Sequence, residues 1–264
     1  MSDITSHRLS SEGSAAKQRL RSQIIPLEAI TSDVAMEMWL LFETFYDDVC
    51  KNTFYRDLNA KDGAILMFDE TNQVRGFSTY VFYQHKDNKQ VVDVLFSGDT
   101  IVHPDFWGQN VLHLQFFKLV AQRKFSKPSR KVYWFLISKG FKTYLLMAKN
   151  FPQSWPRHQV ETPKVIHDLI EHFATRLYPK NWCSQSGLLE FSKSEGRLRQ
   201  TVAPIGKEEL KDPDIAYFLA RNPKHASGNE LCCLAEISWH FIGLQVFKQT
   251  AKSLSFYFKR LCKS

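Results

Sequence analysis

The sequence is poor in cysteine, and its cysteines follow no metal-binding or redox spacing. There are five of them, without a CxxC pair, and the odd number argues against a disulfide framework. They are Cys50, Cys183, Cys232, Cys233 and Cys262. We therefore expect reduced thiols and a cytoplasmic protein.

Several recognisable motifs are also missing. The sequence has no GxSxG elbow, Walker A loop or GxGxxG fingerprint, which leaves a serine hydrolase, a P-loop nucleotidase and a dinucleotide oxidoreductase without support. No apolar run approaches the roughly 18 residues of a transmembrane helix, and the N-terminus has no apolar signal-peptide core. The expectation is a chain that is neither exported nor membrane-spanning. Because His167 and His172 stand at i and i+5, which is not zinc spacing, no metal site is predicted.

Basic residues outnumber acidic ones. The 35 Lys and Arg against 27 Asp and Glu give a formal net charge of +8, so the surface should attract anionic partners. A coenzyme A diphosphate, an acidic acyl-carrier protein and nucleic acid all suit this charge. The cations are scattered over 17–21, 124–131 and 248–263 and form no single stripe with aromatic residues, so nucleic acid is the least supported.

Periodicity predicts helices and strands in alternation behind a polar tail. Residues 1–22 lack periodicity and are predicted to be disordered. Apolar spacings of three and four predict helices at 34–49, 52–58, 110–124 and 163–178. Short β-rich runs predict strands at 24–30, 63–70, 74–85, 91–102, 132–137 and 231–239.

The order of these elements predicts an α+β chain with a mixed sheet and a central splay, rather than a doubly wound sheet. A Pro-rich connection, PQSWPRHQVETP, follows Phe151. We therefore predict two parts, residues 23–155 and a C-terminal α/β extension over 156–264.

The strand that begins at Val91 carries an unusual polar face. Period-two alternation places Asp93, Leu95, Ser97, Asp99, Ile101 and His103 on one side. In a buried strand, a carboxylate and an imidazole suit a cavity where either accepts the proton of an amine. The alternative is that Asp99 and His103 meet solvent where the strand ends. Gly98 predicts a bulge or a close backbone approach.

The strand runs through the turn HPDFWGQN directly into a helix. Such a turn presents unpaired backbone N–H groups at the positive end of the helix dipole. This is a ready anion site. It suits the diphosphate of coenzyme A or the phosphate of a phosphopantetheine arm.

Over roughly residues 24–155 the order of elements resembles the GCN5-related N-acetyltransferase (GNAT) superfamily. Pro104 and Gly108 match the loop that follows the first of the two splayed parallel strands in that family, whereas Trp107, Asn110 and Leu112 depart from it. The resemblance implies a central sheet with splayed parallel strands flanked by helices. It also implies acyl transfer, with a fatty-acyl group among the options, from acyl-CoA or an acyl-carrier protein to an amine of a small molecule or peptide.

The strand pattern and the resemblance together give a candidate site. The candidate catalytic residues are Ser97, Asp99, His103 and Tyr144. Tyr144 resembles the tyrosine that protonates the leaving thiolate in many members, although aligning Asn150 and Phe151 with the family's Gly-Phe puts Leu146 at that position. The candidate donor-binding residues are Ile101, Val102, Trp107, Gly108, Gln109, Asn110 and Val111. Two alternatives remain open, a non-catalytic GNAT-like binding module and a basic nucleic-acid-associated protein.

Overall fold

The structure is a computed structural model that describes residues 19–87, 90–109, 111–191, 197–199, 204–248 and 250. Within these residues, nine strands form one mixed sheet in the order β1-β3-β4-β5-β6-β11-β9-β8, with β7 paired to β11. These strands are β1 Arg21–Pro26, β3 Gly63–Phe68, β4 Val74–Asp87, β5 Gln90–Val102, β6 Val132–Ser138, β7 Ser154–Trp155, β8 Trp182–Cys183, β9 Leu188–Leu189 and β11 Glu230–Ile237. Two further strands, β2 Tyr46–Asp47 and β10 Arg197–Leu198, pair with each other.

Helices cover both faces of the large sheet. They are α1 Ser32–Phe45, α2 Lys51–Asn59, α3 Val111–Ser126, α4 Phe141–Ala148, α5 Lys164–Leu177, α6 Pro213–Arg221 and α7 at residues 239–248. A 3-10 turn, Pro104–Phe106, joins β5 to the segment before α3. The predicted helices and the predicted β3–β4 hairpin are present. Their ends differ by a few residues from those that the periodicity predicted.

Local sequence explains where the first helix begins. The Thr31 hydroxyl accepts the Val34 N–H at 3.4 Å and so caps the N-terminus of α1. Met38 and Phe42, four residues apart, are buried on the sheet side.

The first strand begins inside the segment that was predicted to be disordered. Strand β1 starts at Arg21, which pairs with Phe68 of β3, so the last two positions of the predicted tail belong to the sheet. The first eighteen positions of that tail lie outside the described residues.

Two apolar layers sandwich the sheet. On one face, α3 and α4 pack in a cluster that contains Leu95, Phe116 and Trp134. On the other face, α5 packs over Phe135, and α1 and α2 pack over strands β3 and β4. Aromatic side chains thus fill the core on both faces, in agreement with burial as the usual role of aromatics.

The part after residue 155 extends the same sheet. Strand β11 pairs antiparallel with β6 along its length, from Leu231 opposite Ser138 to Ile237 opposite Val132. Strand β11 therefore lies next to β6, on the side away from β5. This position brings the first residue of β11, Glu230, to the carboxyl end of β6.

The central strands part partway along their length. Strands β5 and β6 run parallel and pair from Asp93 opposite Val132 to Ser97 opposite Leu136. Beyond this point β5 continues to Val102 and β6 to Ser138 without pairing to each other in the described part of the chain. The predicted central splay is thus present, and it positions the candidate site.

Candidate functional site

A cavity of about 760 Å³ opens where β5 and β6 part. Its wall takes residues from β5, the loop before α3, the start of α3, the turn after β6 and the helices α1 and α2. Asp99, Ile101, Val102, Trp107, Gly108, Gln109 and Val111 all belong to this wall. The structure therefore brings one predicted catalytic residue and six of the predicted donor-binding residues to one cavity. The seventh, Asn110, lies outside the described residues.

A β-bulge in β5 forms the apex of the splay. Ser78 pairs with Thr100 but Tyr80 pairs with Ser97, so two residues of β5, Gly98 and Asp99, together face a single residue of β4. A Cβ at Gly98 would stand 2.5 Å from the hydroxyl oxygen of Thr79, the residue opposite, and 2.9 Å from Lys61 Cε. The strand glycine therefore marks both a bulge and a close approach, as its position in the sequence predicted.

The bulge also divides the polar face predicted for β5. Before the bulge, Leu95 packs in the cluster with α3, whereas after it Ile101 packs in the cluster with α1 and α2. Strict alternation would have placed these two side chains on the same face. The prediction of one continuous polar face is therefore wrong. Asp99 lines the cavity, while Ser97 remains on the α3 side.

Beyond the bulge, the edge of β5 that faces β6 offers its backbone to the cavity. The His103 N–H donates to the Arg75 carbonyl at 2.8 Å, on the β4 side. Because backbone groups in a strand point alternately to its two sides, those of Thr100 and Val102 point toward the gap. A strand edge of this kind can pair with an extended ligand that carries amides. Pantetheine is such a ligand.

The loop after β5 ends at the N-terminus of α3. Gly108 has φ +86°, in the left-handed region that glycine adopts without strain. Val111 and Leu112, the first residues of the sixteen-residue α3, line the cavity, so the first N–H groups of the helix lie at its wall. We call the part of the cavity that is lined by this helix start and by the loop through Gly108 its mouth. The helix dipole adds positive potential there. The mouth suits a phosphate or diphosphate.

Trp107 occupies part of this mouth. Its indole Nε1–H donates to the Val102 carbonyl oxygen at 2.8 Å. The Lys142 ammonium lies 3.1 Å from the centroid of the indole ring. Partial burial lowers the pKa of Lys142. The indole therefore already occupies one of the two acceptor positions of the Val102 carbonyl oxygen.

We call the part of the cavity around Asp99, Lys61, Lys139 and Glu230 its inner part. It carries several charged groups. Burial raises the pKa of the Asp99 carboxyl, and the nearby cations of Lys61 and Lys139 lower it. The net direction of the pKa is upward, toward the range in which a carboxylate is an effective general base at neutral pH. Asp57 of α2 is a further charged neighbour.

Glu230 supplies a second carboxylate from the C-terminal part. It is buried, it lines the cavity, and its carboxylate lies 3.4 Å from the Lys139 ammonium. Burial raises the pKa of Glu230 too, against the attraction of Lys139. Asp99 and Glu230 are far apart in the sequence but share the wall of one cavity. The pairing of β11 with β6 brings them together, and no sequence pattern predicted it.

Two tyrosines complete the inner part of the cavity. Tyr46 of β2 and Tyr178, which follows α5, both line it. Burial, reinforced by the carboxylates of Asp99 and Glu230, raises the pKa of both phenols. Both therefore keep their protons at neutral pH and can donate hydrogen bonds into the cavity.

Three predicted catalytic residues, Ser97, His103 and Tyr144, are absent from the described lining of the cavity. Ser97 is buried and accepts the Trp134 indole N–H at 2.9 Å. The His103 ring nitrogen lies 3.5 Å from the Asp105 carboxylate. Ser97 lies away from the cavity because the bulge leaves it on the α3 side, and His103 because it follows the end of β5.

Tyr144 points away from the cavity toward α6. Its ring lies 5.6 Å from that of Phe218, and Leu146, the alternative position in the sequence, lines the cavity instead. The Tyr144 hydroxyl is buried and has no hydrogen-bond partner among the described residues. The structure therefore gives this residue a packing position in the core.

We expect Tyr144→Phe to keep full activity and to leave the free energy of unfolding unchanged or raised by about 1 kcal/mol, because it removes a buried, unsatisfied hydroxyl. Urea unfolding at neutral pH measures the stability, and a thiol-release assay measures the activity. A loss of turnover of tenfold or more would return Tyr144 to the catalytic set.

An exposed group on α5 has the composition of a metal site. The ligand atoms of His167, Asp168 and Glu171 lie within 4.8 Å of one another. Lys164 forms an ion pair with Asp168 at 2.7 Å on the same exposed helix face. This group lies outside the cavity lining, and we assign it no role.

Comparisons with known proteins give structural matches but no match in sequence. No protein-family model matches the chain, and no curated protein matches it. It is similar to the crystal structure of a GNAT family N-acetyltransferase (YhbS) from Escherichia coli in complex with CoA, with 10% identity, 52% of this chain and 72% of that chain covered, and a TM-score of 0.35. It is also similar to the NatC complex bound to Gag peptide and CoA, with 10% identity, 83% of this chain and 99% of that chain covered, and a TM-score of 0.38.

These identities and TM-scores are low, so the matches carry no argument about activity. The fold class rests on the sheet itself, in which antiparallel strands β3, β4 and β5 are followed by β6, parallel to β5 and then parting from it. This is the GNAT-like arrangement that the sequence resembled, and the predicted mixed α+β class is confirmed. In the described part of the chain, no helix has the length and apolar character needed to cross a membrane.

Proposed function

We propose that the protein is an N-acyltransferase that passes an acyl group directly from a pantetheine thioester to an amine. The observation that carries the proposal is the parting of β5 from β6 after Ser97 and Leu136, which opens one cavity between strand-edge amides and a carboxylate. The donor is acyl-CoA or the acyl-phosphopantetheine of a carrier protein. The acceptor is the amine of a small molecule or peptide.

In this proposal the mouth of the cavity holds the donor. The N–H groups at the start of α3 face its phosphate, and the edge of β5 at Thr100 pairs with its amides. The net charge of +8 favours both the CoA diphosphate and an acidic carrier protein. Turnover measured with donors of increasing acyl length will show whether the protein uses a fatty-acyl group.

The inner carboxylate performs the proton transfer. A bound ammonium first loses one proton to solvent, which leaves a neutral amine. The amine nitrogen then bonds to the thioester carbonyl carbon, Asp99 accepts the proton that the nitrogen loses as this bond forms, directly or through water, and the carbon–sulfur bond breaks. The leaving thiolate takes a proton from a phenol, for which Tyr46 and Tyr178 are the candidates on the cavity wall, and the proton held by Asp99 then returns to the phenolate through water, which restores both groups.

One observation favours a second function, that of a non-catalytic binding module. The Trp107 indole already occupies the Val102 carbonyl at the mouth. If that contact persisted with every thioester, the cavity would hold some other ligand. Calorimetric titration with CoA thioesters, acyl-carrier protein and nucleic acid measures which of them binds, and a thiol-release assay measures turnover. Only an acyltransferase both binds the thioester and releases its thiol.

Gln109→Glu tests the placement of the donor. The Gln109 side-chain oxygen accepts the Leu20 N–H at 3.1 Å, and a glutamate can keep this contact while adding a negative charge at the mouth. We expect CoA to bind roughly fivefold more weakly in a calorimetric titration, the effect of about 1 kcal/mol of repulsion near a helix N-terminus.

The matched control is a truncated thioester of N-acetylcysteamine, which carries no phosphate. Its turnover by Gln109→Glu should equal that of the unchanged protein. Equal CoA affinity in both proteins would contradict the phosphate site. A parallel loss for the truncated thioester would indicate a disturbed loop instead.

A further inference from the structure

We propose that the acceptor is an amino acid whose free carboxylate is bound by Lys61. This inference rests on the proposed function and names the acceptor class of the same cavity. The observation that carries it is a cation built into the inner wall, close to the candidate base, without an ion-pair partner among the described residues.

Lys61 is held in place by three features. Its ammonium donates to the Asp57 carbonyl oxygen, near the C-terminal end of α2, at 3.2 Å. It lies 5.6 Å from the centroid of the Phe96 ring. The missing side chain of Gly98 leaves room for its stem, since a Cβ there would stand 2.9 Å from Lys61 Cε. The fold therefore directs this cation into the cavity.

The other lysine of the inner wall, Lys139, already has an ion-pair partner. Lys139 lies 3.4 Å from the Glu230 carboxylate and 5.8 Å from the centroid of the Tyr46 ring. Lys61 forms no ion pair with a carboxylate among the described residues, although it attracts Asp99 from farther away. An anionic group of the acceptor would complete its coordination.

Charge balance separates an amino acid from a polyamine. The described lining of the cavity carries four acidic side chains and four basic ones, so their charges balance when all eight are ionised; they are Asp48, Asp57, Asp99, Glu230, Arg56, Lys61, Lys139 and Lys142. An amino acid is a zwitterion, so it adds no net charge to this partly buried site, and its ammonium and carboxylate face Asp99 and Lys61. A diamine would bring two positive charges, one of them without a partner, at a high desolvation cost.

The experiment compares an amino acid with the amine that lacks only its carboxylate. Phenylalanine and phenethylamine form one pair, and leucine and 3-methylbutylamine form another. With a thioester that the protein binds, we expect kcat/KM to be roughly 10- to 100-fold higher for the amino acid of each pair, as measured by thiol release.

Lys61→Met should remove this preference, and Lys61→Arg should retain most of it. If Lys61 only tuned the pKa of Asp99, Lys61→Met would change both members of a pair equally, and the preference would remain. That result would overturn the inference. So would equal rates for both members with the unchanged protein, while leaving the proposed function intact. If no amine of either kind released thiol from a bound thioester, the proposed function would fail first, and this inference with it.

Discussion

Asp99→Asn is expected to lower kcat by roughly 10²- to 10⁴-fold, the usual contribution of a positioned general base. The amide keeps the size of the side chain and removes the group that accepts the proton. Thioester affinity should change little, since the proposed donor contacts are backbone groups of β5 and of the start of α3 and not the Asp99 side chain. Single-turnover thiol release, together with calorimetric titration of the donor, measures the two effects separately.

Asp168→Asn is the matched control. It makes the same chemical change on the exposed face of α5, where Lys164 pairs with the carboxylate, and we expect no change in kcat. An Asp99→Asn protein as active as this control would remove Asp99 from the mechanism.

The pH profile gives an independent check on Asp99. A base acts only when deprotonated, so activity should fall as the pH drops through the pKa of Asp99. Burial raises that pKa, and Lys61 and Lys139 lower it, so the acid limb should lie above the ordinary range of aspartate. Lys61→Met removes one stabilising cation and should move the limb to higher pH. The other groups coupled to this carboxyl are Asp57, Tyr46, Tyr178 and Glu230.

The sequence was informative about the proposed donor half of the site because the residues of that half are close together in the chain. The end of β5, the turn through Gly108 and the start of α3 are consecutive in the chain, so their spacing alone predicts an anion site beside a strand edge. The central splay followed from the order of the elements. The physical reason is that the turn and the helix start depend on residues a few positions apart, and the splay on elements that follow one another directly in the chain.

The inner half could not be predicted in the same way. Glu230 reaches the cavity only because β11 pairs with β6, and Lys61 only because Gly98 leaves space for it. Both depend on contacts between segments distant in the chain. The bulge is also why the predicted strand faces are wrong, since one extra residue exchanges the two sides and separates Asp99 from Ser97. Gly98 was the one signal in the sequence for that exchange.

The role of Asp93 also depends on residues distant in the chain, so alternation could not predict it. Its substitution has the largest effect on stability that we expect. Alternation grouped it with the polar face, but its fully buried carboxylate binds the Arg123 guanidinium of α3 at 2.8 Å and that of Arg130 at 3.1 Å. We expect Asp93→Ala to lower the free energy of unfolding by about 3 kcal/mol, the low end for breaking a buried ion pair. The low end applies because both arginine side chains are partly exposed and water can solvate them once the carboxylate is gone.

Urea unfolding of Asp93→Ala at neutral pH measures this loss as a lower midpoint with an unchanged slope. Asp168→Ala provides the comparison, because it breaks an exposed pair on α5 and should cost under about 0.5 kcal/mol. Thiol release well below the unfolding temperature should be unaffected by Asp93→Ala, since Asp93 pairs with Val132 where the strands are still joined. A loss under about 1 kcal/mol would mean that water solvates the two arginines about as well as Asp93 does, so the ion pairs would contribute little to the stability of the fold.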